Sequence, residues 1–513
     1  MRAARFIASA LIVGVLISAG RAGAQANPPG IPQWAMIVHR LAMNAHDPSL
    51  PRGGATGVFP RIIPEYLPEL DASGVMETYN LAAPTNTGTN AFFESLGTNG
   101  RACATCHEPR SAWGVSAASI QQRFYSSHGT DPIFRVVDGA TCASDDVSTF
   151  SAKQKAYSLL LAKGLIRIFL PLPATQLGSN PPVPRDFEIV AINDPYGCTN
   201  LTADPPIVSM YRRPLLSANL EFLTECPADN PNCAPLSIMW DSREPSLESQ
   251  VVDATLIHAQ GLNAPSAAQI AQAVAFEKNI FDAQAIDYHA GRLDQNGATG
   301  GPEYLSQQEF YIGINDSLSA GFDNVVFTLY EAWENAKGAG YQNAARASIA
   351  RGETIFNTKN FTISDVNGLN LEASDPVGQA PITGNCTTCH DAPNVGNHSE
   401  KLPLNIGVAD APPVVLDSTG LPVFTVQCTD TSGPLQGQVF KVTDLGRALI
   451  SGKCADIGKV KGPILHGLAA RAPYFHNGSA ATLDDVVNFY DQRFNIGLTD
   501  QEKADLVAFL KVL

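Results

Sequence analysis

The sequence predicts a mainly α protein built as two lobes with long loops. Strand signals are few and short, whereas apolar residues recur at helical spacing at both ends of the last third of the chain. Gly (42) and Pro (36) are abundant among the 513 residues, so long loops should separate the helices. The motif Cys-x-x-Cys-His occurs twice, at 103–107 and 386–390, and divides the chain into an N-terminal lobe at 25–340 and a C-terminal lobe at 341–513.

The first 24 residues are typical of a secretory signal peptide. Arg2 and Arg5 form a basic start, residues 6–19 form an apolar stretch too short to span a bilayer, and residues 22–24 fit a cleavage site. An uncleaved membrane anchor is the alternative. No later stretch carries a long apolar run, so we expect no membrane span and a protein exported to the periplasm.

The C-terminal lobe should begin and end with a helix. Ala345, Ile349 and Phe356 follow helical spacing at its start. Near the end of the chain, Thr499 and Glu502 form a capping box ahead of an apolar-periodic segment. The two segments therefore predict helices that bracket the C-terminal lobe.

Residues 114–205 are interpreted as a turn-rich insertion in the N-terminal lobe. The chain has 10 Cys, and the two motifs use four of them. An even remainder in an exported chain indicates disulfides, although the sequence does not fix their connectivity. The natural pairs are Cys226 with Cys233, Cys142 with Cys198, and Cys428 with Cys454.

Each Cys-x-x-Cys-His motif is the attachment signature of a c-type haem. Two thiols add to the vinyl groups of one porphyrin, and the adjacent histidine binds its iron. A zinc knuckle would need a second Cys or His pair at zinc spacing, and the sequence has none nearby. We therefore expect two covalently bound haem c groups. The attaching cysteines and iron-binding histidines would be Cys103, Cys106 and His107, and Cys386, Cys389 and His390.

The formal net charge is −15, from 34 basic and 49 acidic residues. Such an acidic chain disfavours nucleic acid and anionic lipid as partners. The charge would suit a basic or weakly charged redox partner, or it would only keep the protein soluble. Both interpretations remain open.

Three further segments follow one another in a characteristic order. Residues 240–250 read WDSREPSLESQ, residues 471–479 read RAPYFHNGS, and residues 481–483 read ATL ahead of a predicted helix. They resemble the W-D-G-R-x-x-x-L-x-x-Q, A-P-Y-F-H-D-G-S and A-T-L-E-E segments of the bacterial di-haem cytochrome c peroxidase superfamily, which includes MauG-type enzymes. The resemblance covers most of residues 85–513.

The resemblance places Tyr490 at the sixth-ligand position of the C-terminal haem, where MauG-type members also have tyrosine. Methionine, the usual ligand of electron-transfer haems, occurs only up to Met239. Tyr490 could instead be a core residue, because it shares one helix face with Leu483 and Val487. Competing histidines are His398 and His466, while the resemblance places His476 beside the haem propionates.

The resemblance implies that peroxide would bind at the N-terminal haem, opposite His107. The peroxidases carry a distal histidine some two dozen residues before their tryptophan, and the corresponding stretch around residues 210–214 has none. We therefore expect an open iron face, as in MauG-type proteins. His128 is the alternative distal ligand.

Peroxide cleavage needs a group that moves a proton between the two oxygens. Gln250 matches the family's glutamine, but the family's glutamate falls on Gln260, which cannot shuttle protons. His258 or Glu248 would have to substitute, or His258 is simply a polar helix residue. Trp240 resembles the tryptophan that passes electrons between the haems, although a large aromatic is also good core.

The resemblance also places the family's calcium site at Arg212 and Arg471. Two arginines there argue against a bound calcium ion, or would replace it.

The motifs and the resemblance together predict a periplasmic di-haem c oxidoreductase that reduces hydrogen peroxide with electrons from a small cytochrome c or cupredoxin. The alternatives are a MauG-type oxidase or oxygenase acting on an organic or protein substrate, and a plain di-haem electron carrier.

Overall fold

A computed structural model describes residues 59–172, 184–224, 238–336, 340–370, 380–400, 403–429 and 435–513. Of these residues, 29% lie in helices and 18% in strands. The fold is therefore mixed α/β, and the prediction of a mainly α protein is wrong. Two of the sheets pair strands from opposite halves of the chain, and such pairing leaves little trace in a local window of sequence.

Several of the helices begin at a polar side chain that caps their first turn. The hydroxyl of Thr482 accepts the Asp485 amide, and Thr499 and Glu502 form the predicted capping box. In chain order the described α-helices are α1 (Ala117–Ser127), α2 (Phe150–Ala156), α3 (Ser158–Lys163), α4 (Glu221–Thr224), α5 (Leu247–Ile257), α6 (Ala267–Lys278), α7 (Pro302–Leu305), α8 (Tyr341–Thr358), α9 (Ala448–Ser451), α10 (Leu483–Phe494) and α11 (Asp500–Leu510).

The strands form small antiparallel sheets. Their orders are β1-β4, β2-β3-β8-β9, β5-β7, β13-β12-β6 and β10-β11. The strands are β1 (Ile62–Ile63), β2 (Tyr66–Leu70), β3 (Gly74–Asn80), β4 (Thr85–Asn86), β5 (Ile166–Pro171), β6 (Phe187–Asn193), β7 (Ile207–Arg212), β8 (Ile280–Asp287), β9 (Gly291–Arg292), β10 (Phe361–Ile363), β11 (Ile382–Gly384), β12 (Val423–Cys428) and β13 (Val439–Val442).

The region predicted to be an insertion supplies β6, which pairs with β12 from the second half of the chain. The hydrophobic core crosses the predicted lobe boundary in the same way. One buried cluster joins Phe134 and Tyr157 to Phe424, and another joins Phe327 to Phe509. The division at residue 340 stays a prediction, but residues on its two sides share their cores.

Two of the expected disulfides are confirmed, Cys142–Cys198 and Cys428–Cys454. The expected Cys226–Cys233 pair and the signal peptide at 1–24 lie outside the described residues. None of the described helices is both long enough and apolar enough to cross a bilayer.

Helices α8 and α11 pack closely, as expected for the two helices that bracket the C-terminal region. Gly352 makes this approach possible, because a Cβ built at this position would lie 2.1 Å from the carbonyl oxygen of Asp505. Arg351 and Ser348 of α8 also bind the Asp505 carboxylate, at 2.8 and 2.5 Å. The glycine therefore fixes how near the two helices lie.

Replacing Gly352 with alanine should destabilise the protein by about 2 kcal/mol, because overpacking outweighs the better helix propensity of alanine. Chemical denaturation of the holoprotein measures the change. Gly340→Ala is the matched control, since a Cβ there meets no atom within 4 Å. Equal effects at the two positions would contradict the proposed close contact.

Candidate functional site

Each Cys-x-x-Cys-His motif borders a large cavity. The first holds about 1450 Å³ and the second about 1710 Å³, mouths included. The motif residues at these cavities are Cys103, Cys106 and His107 at the first, and Cys386, Cys389 and His390 at the second.

Both motifs form a single 3₁₀ turn, over Cys103–Thr105 and Cys386–Thr388. The amide of each histidine donates to the carbonyl of the first cysteine, at 3.1 Å in both motifs. This turn directs two thiols and one imidazole to the same cavity. All four cysteines are free, as covalent attachment of a porphyrin requires.

The two motif histidines are oriented in the same way. Nδ1 of His107 lies 2.9 Å from the carbonyl oxygen of Trp113, and Nδ1 of His390 lies 2.7 Å from that of Gly396. Nδ1–H donates in both cases, which leaves Nε2 free, and ligating histidines usually have this second partner. Burial lowers the pKa of His107 to about 4, so its ring is neutral and able to bind a metal.

Local backbone conformation places both acceptor carbonyls. Trp113 and Gly396 both have positive φ, of 55° and 75°. A Cβ at residue 396 would lie 2.7 Å from the ring of Phe327, so glycine is required there. Trp113 is fully buried, and its indole donates to Thr78 at 2.8 Å. The residues present therefore fit haem c in both cavities.

Trp240 lies between the cavities and lines both of them. Its indole N–H donates to the carbonyl of Arg213 at 2.8 Å, and its ring centroid lies 6.0 Å from that of His476. The position is the one that a relay between two redox centres would need.

Tyr490 of α10 lines the second cavity with His390, and the two ring centroids lie 6.4 Å apart. Phe489 and Phe494 pack against the tyrosine ring. Among the described residues its hydroxyl has no hydrogen-bond partner, and burial raises its pKa well above the usual range. The hydroxyl is thus available to a group bound in the cavity.

The competing histidines differ in position. His398 lines the second cavity, with Nδ1 3.1 Å from Asp391. His476 also lines it and is 1% exposed, and neither of its ring nitrogens makes a hydrogen bond to the described residues. His466 bonds the carbonyl of Asn394 at 2.8 Å and does not line this cavity. Of the three, His466 is the one that the fold removes from the site.

One face of α5 and its C-terminal cap borders the first cavity. Gln250, Ala254 and His258 lie there at intervals of four residues. Glu248 is exposed and does not line the cavity. His128 is also exposed, its ring packs near Phe150, and it does not line the cavity. The structure thus brings Gln250 and His258 to the cavity, and leaves Glu248 and His128 outside it.

Two carboxyl groups at the first cavity escaped the sequence analysis. Asp138 lies 2.5 Å from Nδ1 of His258 and also pairs with Arg101. Burial would raise the pKa of Asp138, but Arg101 and His258 together lower it. Glu277 is 4% exposed, and burial raises its pKa to about 8. No local motif marks either residue, and only tertiary packing brings them to the cavity.

Arg212, predicted at the family's calcium site, is a buried ion-pair centre. It contacts Asp241 at 2.5 Å and binds Asp444 through two nitrogens, at 2.6 and 2.8 Å. The guanidinium places a fixed positive charge between two carboxylates. The described residues contain no group of three or more His, Cys, Asp or Glu arranged to hold a metal ion.

The turns, free thiols and oriented histidines define a c-type haem protein. The family described as RoxA-like, cytochrome c-like matches residues 460–496. The chain is 38% identical over 137 residues to the cytochrome-c peroxidase IdrP2 of Denitromonas iodatirespirans, which covers 25% of this chain and 36% of that protein. It is 31% identical over 156 residues to IdrP1 of the same organism, covering 28% and 41%.

The chain thus spans less than half the length of these two curated relatives. A solved structure of a MauG-like protein associated with microbial copper homeostasis shares 16% identity, with a TM-score of 0.33 over 89% of this chain and 94% of that chain. The predicted resemblance to the di-haem cytochrome c peroxidase/MauG superfamily is confirmed by the similarity to these curated peroxidases and to the cytochrome c-like family.

A variant with Cys386→Ala and Cys389→Ala should retain covalent haem at the first motif alone. Intact mass and a pyridine haemochrome assay should then give half the haem content of the natural protein, because each cavity has its own thiol pair. The matched variant with Cys103→Ala and Cys106→Ala should lose the other half. Full haem content in either variant would contradict attachment at that motif.

Proposed function

We propose that the chain is an exported, periplasmic di-haem c oxidoreductase that reduces hydrogen peroxide with electrons from a small cytochrome c or cupredoxin. The observation that carries the proposal is the arrangement at the first cavity, where a histidine ligand, an Asp–His pair and a glutamine border one space. The reaction consumes one peroxide, two electrons and two protons and gives two water molecules. Haem c, when bound, supplies the redox-active iron.

His107 would bind the iron through Nε2, because its Nδ1 is held by the carbonyl of Trp113. The second cavity offers His390 in the same way, and Tyr490 lines the same cavity and would be a further candidate to bind the iron there. Phenolate ligation would stabilise ferric iron. The residues at the first cavity would thus receive peroxide, and those at the second would hold the second redox centre.

His258 would manage the protons of the reaction. Asp138 accepts from Nδ1–H of His258, which leaves Nε2 to take a proton from one peroxide oxygen and return it to the other. The imidazole is 22% exposed, and it borders the cavity. Gln250 would orient the peroxide by hydrogen bonding. His258 thereby takes the part that the family assigns to a glutamate, which Gln260 cannot perform.

Electrons would arrive one at a time, whereas peroxide needs two. Trp240 borders both cavities and would carry charge between the two centres. The net charge of −15 favours a basic or weakly charged donor.

A MauG-type oxidase or oxygenase is the second candidate, and Tyr490 favours it, because tyrosine rather than methionine lines the second cavity. If the protein forms an oxygenated or cross-linked organic product and does not oxidise a reduced cytochrome, the oxidase or oxygenase function is correct and the peroxidase function is wrong. A plain electron carrier would bind neither cyanide nor peroxide at either haem.

His258→Gln should slow the reaction of the ferric holoprotein with peroxide about 100-fold, which is the usual contribution of a general acid–base group. Stopped-flow spectroscopy measures the rate, and the cyanide affinity should change much less because the iron face stays open. Glu248→Gln is the matched control on the same helix, outside the cavity. A peroxide rate that is equal in both variants would remove His258 from the mechanism.

Tyr490→Phe should change the low-spin ferric signal in low-temperature electron paramagnetic resonance and leave the high-spin signal unchanged. The control is Tyr474→Phe, because Tyr474 also lines the second cavity but its hydroxyl donates to the carbonyl of Leu468 at 2.8 Å. An unchanged low-spin signal in the Tyr490 variant would show that the phenol does not bind iron.

A further inference from the structure

The two cavities share one wall, which is defined here as the set of residues that line both. Three of its members are cationic, and the others apart from Trp240 are apolar. The shared wall consists of Arg213, Pro214, Leu216, Trp240, Lys461, Pro463 and Arg471.

The two arginines of the shared wall bind only neutral groups. Arg213 is 7% exposed and donates to the carbonyls of Pro473 and Val115, while its Nε has no partner in the described part of the chain. Arg471 donates to the carbonyl of Ile464 at 2.8 Å, and its Nε also has no partner. Within the described ranges, neither guanidinium makes an ion pair with a carboxylate.

Lys461 is the third cation. Its backbone amide donates to the carbonyl of Trp240 at 2.9 Å, but its ammonium group makes no ion pair or hydrogen bond with the described residues. Burial lowers the pKa of Lys461 to about 8, of Arg213 to about 9 and of Arg471 to about 10, so all three are mainly charged at neutral pH.

The surrounding acids do not neutralise this charge. Asp282 is the carboxyl group that influences the pKa of Arg471. Burial raises the pKa of Asp282 well above the usual range, which favours the neutral form of this acid. The carboxylates of Asp241 and Asp444 are already bound to Arg212. Arg213 is buried, whereas Lys461 and Arg471 are half-buried. Desolvating such a cation without a counter-ion is unfavourable unless a bound anion pairs with it.

We infer that the shared wall is a binding site for the carboxylates of the haem c groups in both cavities. Each haem c carries two propionates, which supply the anions that the chain itself does not provide. Because the same three cations border both cavities, their charge acts on both redox centres at once and favours the reduced form of each iron. This inference rests on haem occupying both cavities, as in the proposed function.

The test compares Lys461→Gln with Lys461→Arg in the holoprotein. Lys461 is the best position, because its side chain holds no other part of the chain and its backbone bond to Trp240 survives substitution. Spectroelectrochemical titration measures the midpoint potential of each haem. The glutamine variant should shift the ratio of oxidised to reduced haem about tenfold at both centres, or about 59 mV for one electron. The arginine variant should shift neither.

Arg471→Gln and Arg471→Lys repeat the comparison at a second position, so a folding defect in one pair leaves the other decisive. A shift at one haem alone, no shift, or equal shifts in the neutral and charged variants would overturn the shared site. Haem bound in only one cavity would overturn it too. Unshifted midpoint potentials with normal peroxide turnover would refute carboxylate binding at the shared wall. Shifted midpoint potentials without peroxide turnover would support that binding and refute the proposed peroxidase function.

Discussion

The structure depends on one constraint: two thiols and one imidazole must converge on a flat ring whose dimensions are fixed by covalent chemistry. A single 3₁₀ turn meets this requirement at both motifs. The carbonyl six residues after each histidine then fixes the ring, at Trp113 and at Gly396. Because both carbonyls belong to residues with positive φ, the local backbone determines where each ligand points.

The protein buries several charged side chains near these turns, and it stabilises them in two different ways. Arg212 is neutralised by Asp241 and Asp444 within the chain. Arg213, Lys461 and Arg471 are left for a bound group. The ion pairs of Arg212 hold distant segments together without any ligand. The cations of the shared wall, by contrast, are paired with anions only when a group with carboxylates is bound in both cavities.

The sequence predicted those features whose chemistry is local. The attachment motifs have fixed spacing, the cap at Thr499 lies three residues from its partner, and Tyr490 follows a recognisable segment. It did not predict the sheets, since β6 pairs with β12 and β3 with β8, which are far apart in the sequence. It also missed Asp138 and Glu277, because a buried carboxyl group becomes informative only when its surroundings are known.

The pairing of β6 with β12 also has a consequence for biogenesis. Both attachment motifs precede β12 in the chain, so each is synthesised before the sheet of β6, β12 and β13 can form. Non-local strand pairing is slow to form. Attachment of a prosthetic group before β12 pairs with β6 would therefore meet an open architecture, in which the thiols of both motifs are accessible.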